Sequence, residues 1–388
     1  RFPRRTGTRV LTLGNAGGRL KASTGYALVR IHDDAVRIAA SLRRSGDPFG
    51  LPADPELPRW LDGTLLDLVR ARGPATIPVF MAMFRDNPVD RALRFLDEAA
   101  SVADLTTLVA TLPGRGPFVA AALRVLTRRA AAAWRFWALT AGVIGGPALA
   151  FAALAPTDAA TAGPAMLVFL LGPALVGNAL AWGLPRLPAR RAASAVGLAV
   201  GLTAAIIAVG ALGAVAGGAL VLGGKVDLAA ALTGALGGAL TSTLEELGWA
   251  AGGLTVARAG LGPRLGVLGL GLVWAGWHLV VAALGPPEVV LGLFGTAGPL
   301  GAWRIGLFVA GCVAYRVLLT ALRDRADAVW PAVAAHVTGN VLMGGLIASG
   351  WATLAPEGPW LLFPGPTGLP FLAATVAAAA WLRRTGSW

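Results

Sequence analysis

The pattern of apolar and polar residues divides the chain near Trp134. Before that point, a short strand-like run at Arg9–Leu13 precedes a glycine turn at Gly14–Gly18 and an amphipathic helix that begins near Gly25. After it, apolar runs long enough to cross a bilayer repeat along the chain. Eight such spans are predicted, at about 135–155, 164–184, 192–216, 228–256, 264–284, 303–322, 330–350 and 367–383. The pattern predicts an all-α polytopic membrane protein, an eight-helix transmembrane bundle preceded by a mostly helical, soluble or peripheral segment with a short strand.

Composition agrees with this class, because 56% of the 388 residues are hydrophobic and only 14% are charged. The net charge of +13 raises the question of nucleic acid, but the basic residues form no patch interleaved with aromatic residues, so no nucleic-acid partner is expected. The lone cysteine, Cys312, excludes a disulfide framework within the chain. The expected partners are the lipid bilayer and a membrane-embedded or lipidated protein or peptide substrate.

The charged residues between the spans alternate in sign from one side to the other. One set of loops is basic, with Arg124, Arg128, Arg129, Arg135, Arg186, Arg190, Arg191, Arg258, Arg264, Arg323, Arg325, Arg383 and Arg384. The opposite loops carry no net positive charge and contain Asp158, Lys225, Asp227, Glu288, Arg304 and Glu357. Because basic loops stay in the cytoplasm, this distribution predicts an integral protein of the bacterial inner membrane with both termini cytoplasmic.

Two adjacent carboxylates, Glu245 and Glu246, lie in the fourth span, where residues 228–256 contain no other charge. Ionisable residues inside a membrane span are costly, face the bundle interior or a water-filled cavity, and are candidates for function. A structural polar pair is the alternative. It would need two separate buried partners, because adjacent residues point about 100° apart on a helix.

Two of the three histidines of the chain also lie within spans, His278 in the fifth and His336 in the seventh, with Asn340 one turn after His336. Glu245, His278 and His336 are suitable donors for a zinc site with an open position. The same residues suit a metal-free site in which Glu245 is the base and the imidazoles hold water. Asn340 offers a neutral N–H donor for an oxyanion. The third histidine, His32, is expected on the surface.

Three short patterns occur in order along these spans: EELGW at Glu245–Trp249, WAGWH at Trp274–His278, and RVLLT at Arg316–Thr320 with HVTGN at His336–Asn340. Together they resemble the CPBP family of CAAX-prenyl-protease and bacteriocin-processing intramembrane endopeptidases, also called ABI proteins. The resemblance is strongest in 228–345. It implies a metalloendopeptidase with Glu245 as the water-activating carboxylate and Glu246 as its supporting partner. It also implies that His278 and His336 hold the water or metal and that Asn340 helps stabilise the oxyanion.

One position departs from the family pattern. The family carries arginine four residues after the second glutamate, where this chain has Ala250. A catalytically silent relative that binds membrane partners is therefore the first alternative to a protease. A carotenoid-associated or transport role is the second alternative.

The second alternative comes from the amino-terminal segment. Gly14–Ile31 and Asn87–Pro113 resemble the carboxy-terminal part of flavin-dependent lycopene cyclases. In that family the glycine turn contacts the flavin. The nucleotide-binding half that precedes this segment in the family is expected to be absent, so neither flavin binding nor cyclisation is expected. The start of the chain is interpreted as that of a fragment or processed product, without a signal peptide. The predicted domains are a cyclase-like fragment at 1–125 and a protease domain at 126–388.

Overall fold

The computed structural model describes residues 11–21, 25–48, 51, 56–113, 115–182, 184, 192–294, 301–355, 360–363 and 365–385. Residue contacts divide the chain into two compact units on either side of Ala130 and Ala131. Some sequence predictions concern residues outside the described part: Arg9 and Val10 of the strand, and Arg186, Arg190, Arg191 and Glu357 of the loops.

The first unit is helical. Gly14–Gly17 form a short 3-10 helix that ends at Gly18, whose φ of 68° lies in the left-handed region where glycine is favoured. The helices that follow are α1 (Leu28–Ser45), α2 (Glu56–Arg72), α3 (Ile77–Arg85), α4 (Val89–Leu96) and α5 (Val102–Thr111). Helix α1 begins at Leu28, three residues later than expected, and His32 on it is exposed as expected.

Charged side chains hold the segment after the glycine turn in the first unit. Lys21 lies 3.3 Å from Glu98 and 3.5 Å from Asp62. Arg30 of α1 is paired with the same two carboxylates. These pairs join the turn, α1, α2 and the end of α4 through ionic contacts that are largely shielded from solvent.

The second unit contains the predicted spans. Its helices are the later part of α6 (Arg115–Leu154), then α7 (Gly163–Leu180), α8 (Ala192–Ala216), α9 (Leu228–Glu246), α10 (Leu254–Leu261), α11 (Pro263–Leu284), α12 (Pro287–Phe294), α13 (Ala302–Ala326), α14 (Trp330–Ala348) and α15 (Leu369–Thr385). Five of the described helices, α6, α7, α8, α11 and α13, are long and apolar enough to cross a membrane. The fold is thus an all-α polytopic membrane protein.

The fourth predicted span is a continuous helical run that contains a π-helical segment. It consists of α9, a π-helical segment at Leu247–Gly253 and α10. The π segment starts directly after Glu246, and such segments occur often at functional sites. Two short strands, β1 (Leu220–Leu222) and β2 (Ala352–Leu354), pair antiparallel between the end of α8 and the end of α14, a pairing that the hydrophobic pattern did not predict.

Glycines let the backbone of the π segment pack directly against the backbone of α7. A Cβ on Gly248 would lie 2.4 Å from the carbonyl carbon of Pro173, and one on Gly252 would lie 2.4 Å from that of Gly177. Asn178 of α7 donates its amide N–H to the carbonyl of Leu247 at 2.9 Å. Because a π turn shifts the backbone hydrogen-bond pattern, side-chain donors of this kind keep its carbonyls satisfied.

A proline in α7 frees a backbone carbonyl that accepts a hydrogen bond from α11. Pro173 lacks an N–H, so the carbonyl of Phe169 one turn earlier loses its helical donor. The indole Nε1 of Trp277 donates to that carbonyl at 3.1 Å, and the two aromatic rings stack with centroids 3.7 Å apart. The next residue along α11 is His278, so this contact fixes the height at which His278 lies in the bundle.

Tryptophans mark the ends of the long helices. Trp182, Trp303, Trp330 and Trp381 lie near helix ends and remain 76%, 84%, 53% and 47% exposed. Exposed indoles at helix ends are typical of the two membrane–water interfaces. Their positions agree with the span ends expected from the sequence.

Candidate active site

Glu246 lies at the end of α9 and is fully buried. Its two carboxylate oxygens accept hydrogen bonds from the Arg316 guanidinium of α13 at 2.7 and 2.9 Å, a bidentate pair between residues 70 positions apart. His336 of α14 donates from Nδ1 to the same carboxylate at 2.9 Å. A buried carboxylate needs such partners, because an uncompensated charge in this environment is strongly unfavourable. Glu246 therefore anchors three helices to one another.

Glu245 faces a different environment although it is the adjacent residue. It is 5% exposed, and its Oε2 accepts a hydrogen bond from the indole Nε1 of Trp274 at 3.1 Å. No ion pair with Glu245 occurs among the described residues. The two glutamates thus have separate partners, and Glu245 is the less constrained of the two.

Both span histidines use Nδ1 for an internal hydrogen bond. In His278 the bond, of 3.0 Å, goes to the carbonyl of Trp274, which can only accept. In His336 it goes to the Glu246 carboxylate. With Nδ1 protonated, the Nε2 of each neutral ring carries a lone pair that can accept a hydrogen bond from water.

The Trp274 indole contacts both imidazoles. Its ring is edge-on to His278 and to His336, with centroids 5.3 and 5.5 Å apart. The Arg316 guanidinium lies over the same indole, 4.4 Å from the ring centroid. Trp274 thus contacts His278, His336, Arg316 and Glu245, and it is the side chain around which the site is arranged.

Asn340 lies one turn beyond His336, as the sequence predicted, but its amide is directed at α9. Its Nδ2 donates to the hydroxyl of Ser242 at 2.8 Å, and Ser242 donates in turn to the carbonyl of Gly238. Ser242 lies one turn before Glu245 and Glu246 on the same helix. Asn340 therefore belongs to the α9–α14 interface beside the glutamates, and one N–H of its amide is used there.

The predicted zinc ligands Glu245, His278 and His336 are not assembled into a metal-binding group. No cluster of three His, Cys, Asp or Glu side chains with that geometry occurs in the described ranges. The Trp274 indole packs against both imidazoles and donates a hydrogen bond to one oxygen of Glu245. The ligand set expected from the sequence therefore does not fit zinc in this arrangement.

Arg316 and Trp274 occur in the sequence patterns, but the sequence analysis predicted no role for either residue. A sequence signal for Arg316 was present, since it is a charged residue within an apolar span, the criterion that selected the two glutamates. Trp274 had no comparable signal, because an indole in an apolar helix is ordinarily a core residue.

Comparison with known families gives two matches. Residues 226–342 match the family described as Type II CAAX prenyl endopeptidase Rce1-like, and residues 1–122 match the family described as Lycopene cyclase protein. The first match contains all five predicted site residues. Both parts of the resemblance inferred from the sequence are confirmed. A comparison with curated proteins gives no match.

Proposed function

We propose that this protein is an intramembrane endopeptidase that hydrolyses peptide bonds with water activated by Glu245. One observation carries the proposal. Two buried glutamates, adjacent in sequence, have different partners. Glu246 is ion-paired with Arg316 and accepts a hydrogen bond from His336, whereas Glu245 has an oxygen that its bond to Trp274 does not use. When two neighbouring carboxyl groups have unlike environments, one can act as the catalytic base while the other supports it.

In the proposed reaction, water donates one hydrogen bond to the Nε2 lone pair of His278 or of His336 and gives its other proton to Glu245. The oxygen attacks the scissile carbonyl carbon, and the carbonyl oxygen becomes an oxyanion. The second N–H of the Asn340 amide stabilises that oxyanion. Collapse of the tetrahedral intermediate breaks the C–N bond, and the amine leaves with the proton that Glu245 accepted. No step requires a metal.

Water needs a route into such a site. A cavity of about 250 Å³ lies beside the π segment, and its lining includes Asn178, Leu247, Thr255, Arg323 and Trp330. Asn178, Arg323 and Trp330 lie near helix ends on the side of the bundle that carries the basic loops, while Leu247 and Thr255 belong to the π segment and α10. We propose that this side is cytoplasmic and admits water from there, with both termini on the same side of a bacterial inner membrane.

The substrate class follows from the family of the 226–342 match, whose description names a prenyl endopeptidase. We propose membrane-embedded or lipidated peptides as substrates. The cyclase-like segment at 1–125 is proposed as a separate domain from the protease domain at 126–388.

The test compares newly formed peptide ends in bacterial membranes that contain the wild-type chain or its Glu245→Gln variant. Glu288→Gln, which changes an exposed glutamate of α12, is the matched control. Peptide ends that occur with the wild type and with Glu288→Gln, and that vanish with Glu245→Gln, support the proposal and reveal the cleavage preference. Identical profiles from equally abundant, folded proteins would favour the silent relative.

A further inference from the structure

We propose that Arg316 of α13 replaces the arginine that the family pattern puts at position 250, and that it is a positioning residue for both catalytic carboxylates. The inference rests on the proposed function and concerns the same site. It explains how the negative charge of the buried glutamates is balanced in a chain that has alanine at position 250, a question that the sequence alone left open.

Arg316 has the geometry of an ion-pair partner at Glu246. Arg316 is 1% exposed and makes two hydrogen bonds to one carboxylate, the planar arrangement that favours arginine over lysine. A guanidinium that is already bidentate with Glu246 supplies the positive charge that this carboxylate needs. The Glu246 carboxylate therefore needs no arginine at position 250.

Position 250 carries alanine, whose side chain cannot pair with a carboxylate. Ala250 is 2% exposed and belongs to the π segment, whose hydrogen bonds run to the fifth residue, so it does not keep the α-helical relation to Glu246. The carbonyl of Ala250 accepts a 2.7 Å hydrogen bond from Nε of Arg323, which lies two turns beyond Arg316 on α13. Two guanidinium groups of α13 therefore bind this part of the chain: Arg316 binds the Glu246 carboxylate, and Arg323 binds the Ala250 carbonyl.

Arg316 is also linked to Glu245, through Trp274. The Arg316 guanidinium lies over the Trp274 indole, and Trp274 donates to Glu245. A cation on the face of an indole holds the ring in place. Among the described residues, the buried Nε of Arg316 has no hydrogen-bond partner, so the side chain is held by the carboxylate and the indole together. Arg316 thus orients Glu246 directly and Glu245 through Trp274.

Activity tests the positioning role. The variants are Arg316→Met, Arg316→Lys and, as the matched control, Arg325→Met, which removes an exposed arginine of the same helix. The reporter is a peptide whose cleavage depends on Glu245, and rates are normalised to folded protein. We expect kcat of Arg316→Met to fall on the order of 100-fold with KM little changed, since misplaced catalytic groups cost about that much. Arg316→Lys should lie between it and the wild type, and Arg325→Met should equal the wild type.

Stability tests the pairing without any substrate. Melting temperatures in detergent are measured for Arg316→Met, Glu246→Gln and the double variant. Each single change leaves one buried charge without its partner, whereas the double change removes both charges. The double variant should therefore lose less than the sum of the single losses.

Two results would overturn the inference: wild-type kcat in folded Arg316→Met, or additive losses of melting temperature. Failure of the proposed function is distinguishable from these. It would appear as the absence of any Glu245-dependent cleavage, in which case the stability cycle alone decides whether Arg316 compensates Glu246.

Discussion

The hydrogen bond from Trp274 to Glu245 offers the sharpest single perturbation. Trp274→Phe keeps an aromatic ring in the buried position and removes the Nε1–H donor that lies 3.1 Å from Oε2 of Glu245. Hydrogen bonds to charged groups contribute about 1.5–3 kcal/mol. If the whole contribution serves to orient the base in the transition state, kcat falls roughly 10- to 100-fold, because about 1.4 kcal/mol corresponds to a tenfold change in rate.

Trp249→Phe is the matched control. Trp249 is fully buried, and within the described ranges its Nε1 has no hydrogen-bond partner, so the same truncation removes no donor that is in use. The assay measures kcat and KM for a Glu245-dependent peptide with both variants at equal folded concentration. We expect a loss of kcat in Trp274→Phe alone. An unchanged kcat in Trp274→Phe, or an equal loss in both variants, would refute the orienting role of the indole.

Three further predictions concern the surroundings of the site. Gly252→Ala should lower the melting temperature, because its Cβ would lie 2.4 Å from the backbone of Gly177, whereas Gly237→Ala, with nothing within 4 Å, should be tolerated. Asn178→Leu should cost about 1–3 kcal/mol in the free energy of unfolding, because the Leu247 carbonyl loses a donor inside the protein; an unchanged denaturation midpoint would argue against this. Dialysis against a chelator should leave cleavage intact, because the predicted zinc ligands are not assembled; loss of cleavage that zinc restores would show that a metal is used.

The sequence was informative where a physical cost singles out a residue. Charged or titratable side chains in apolar runs are rare, and this criterion identified Glu245, Glu246, His278 and His336 before any geometry was known. The helix at 192–216 was also predicted correctly, because a continuous apolar run between polar loops has few alternative structures.

Partners and local irregularities were beyond a single sequence. The hydrogen bond of Asn340 to Ser242 joins residues 98 positions apart, and nothing in either local pattern predicts it. The π segment lies in a run of alanine and glycine whose pattern is equally compatible with a regular α-helix. The expected zinc ligands were compatible by residue type, and only the three-dimensional arrangement of the described residues shows that they do not form a metal-binding group.

Glu245 is proposed as the base of a hydrolytic site within the membrane. The most direct test of this role uses the full chain purified into lipid vesicles, with the cleavage rate of one Glu245-dependent peptide measured for the wild type, Glu245→Gln and Glu288→Gln. We expect Glu245→Gln to lose about 10²- to 10⁴-fold in kcat, the usual contribution of general-base catalysis, while Glu288→Gln keeps the wild-type rate. Equal rates for all three folded proteins would contradict the claim.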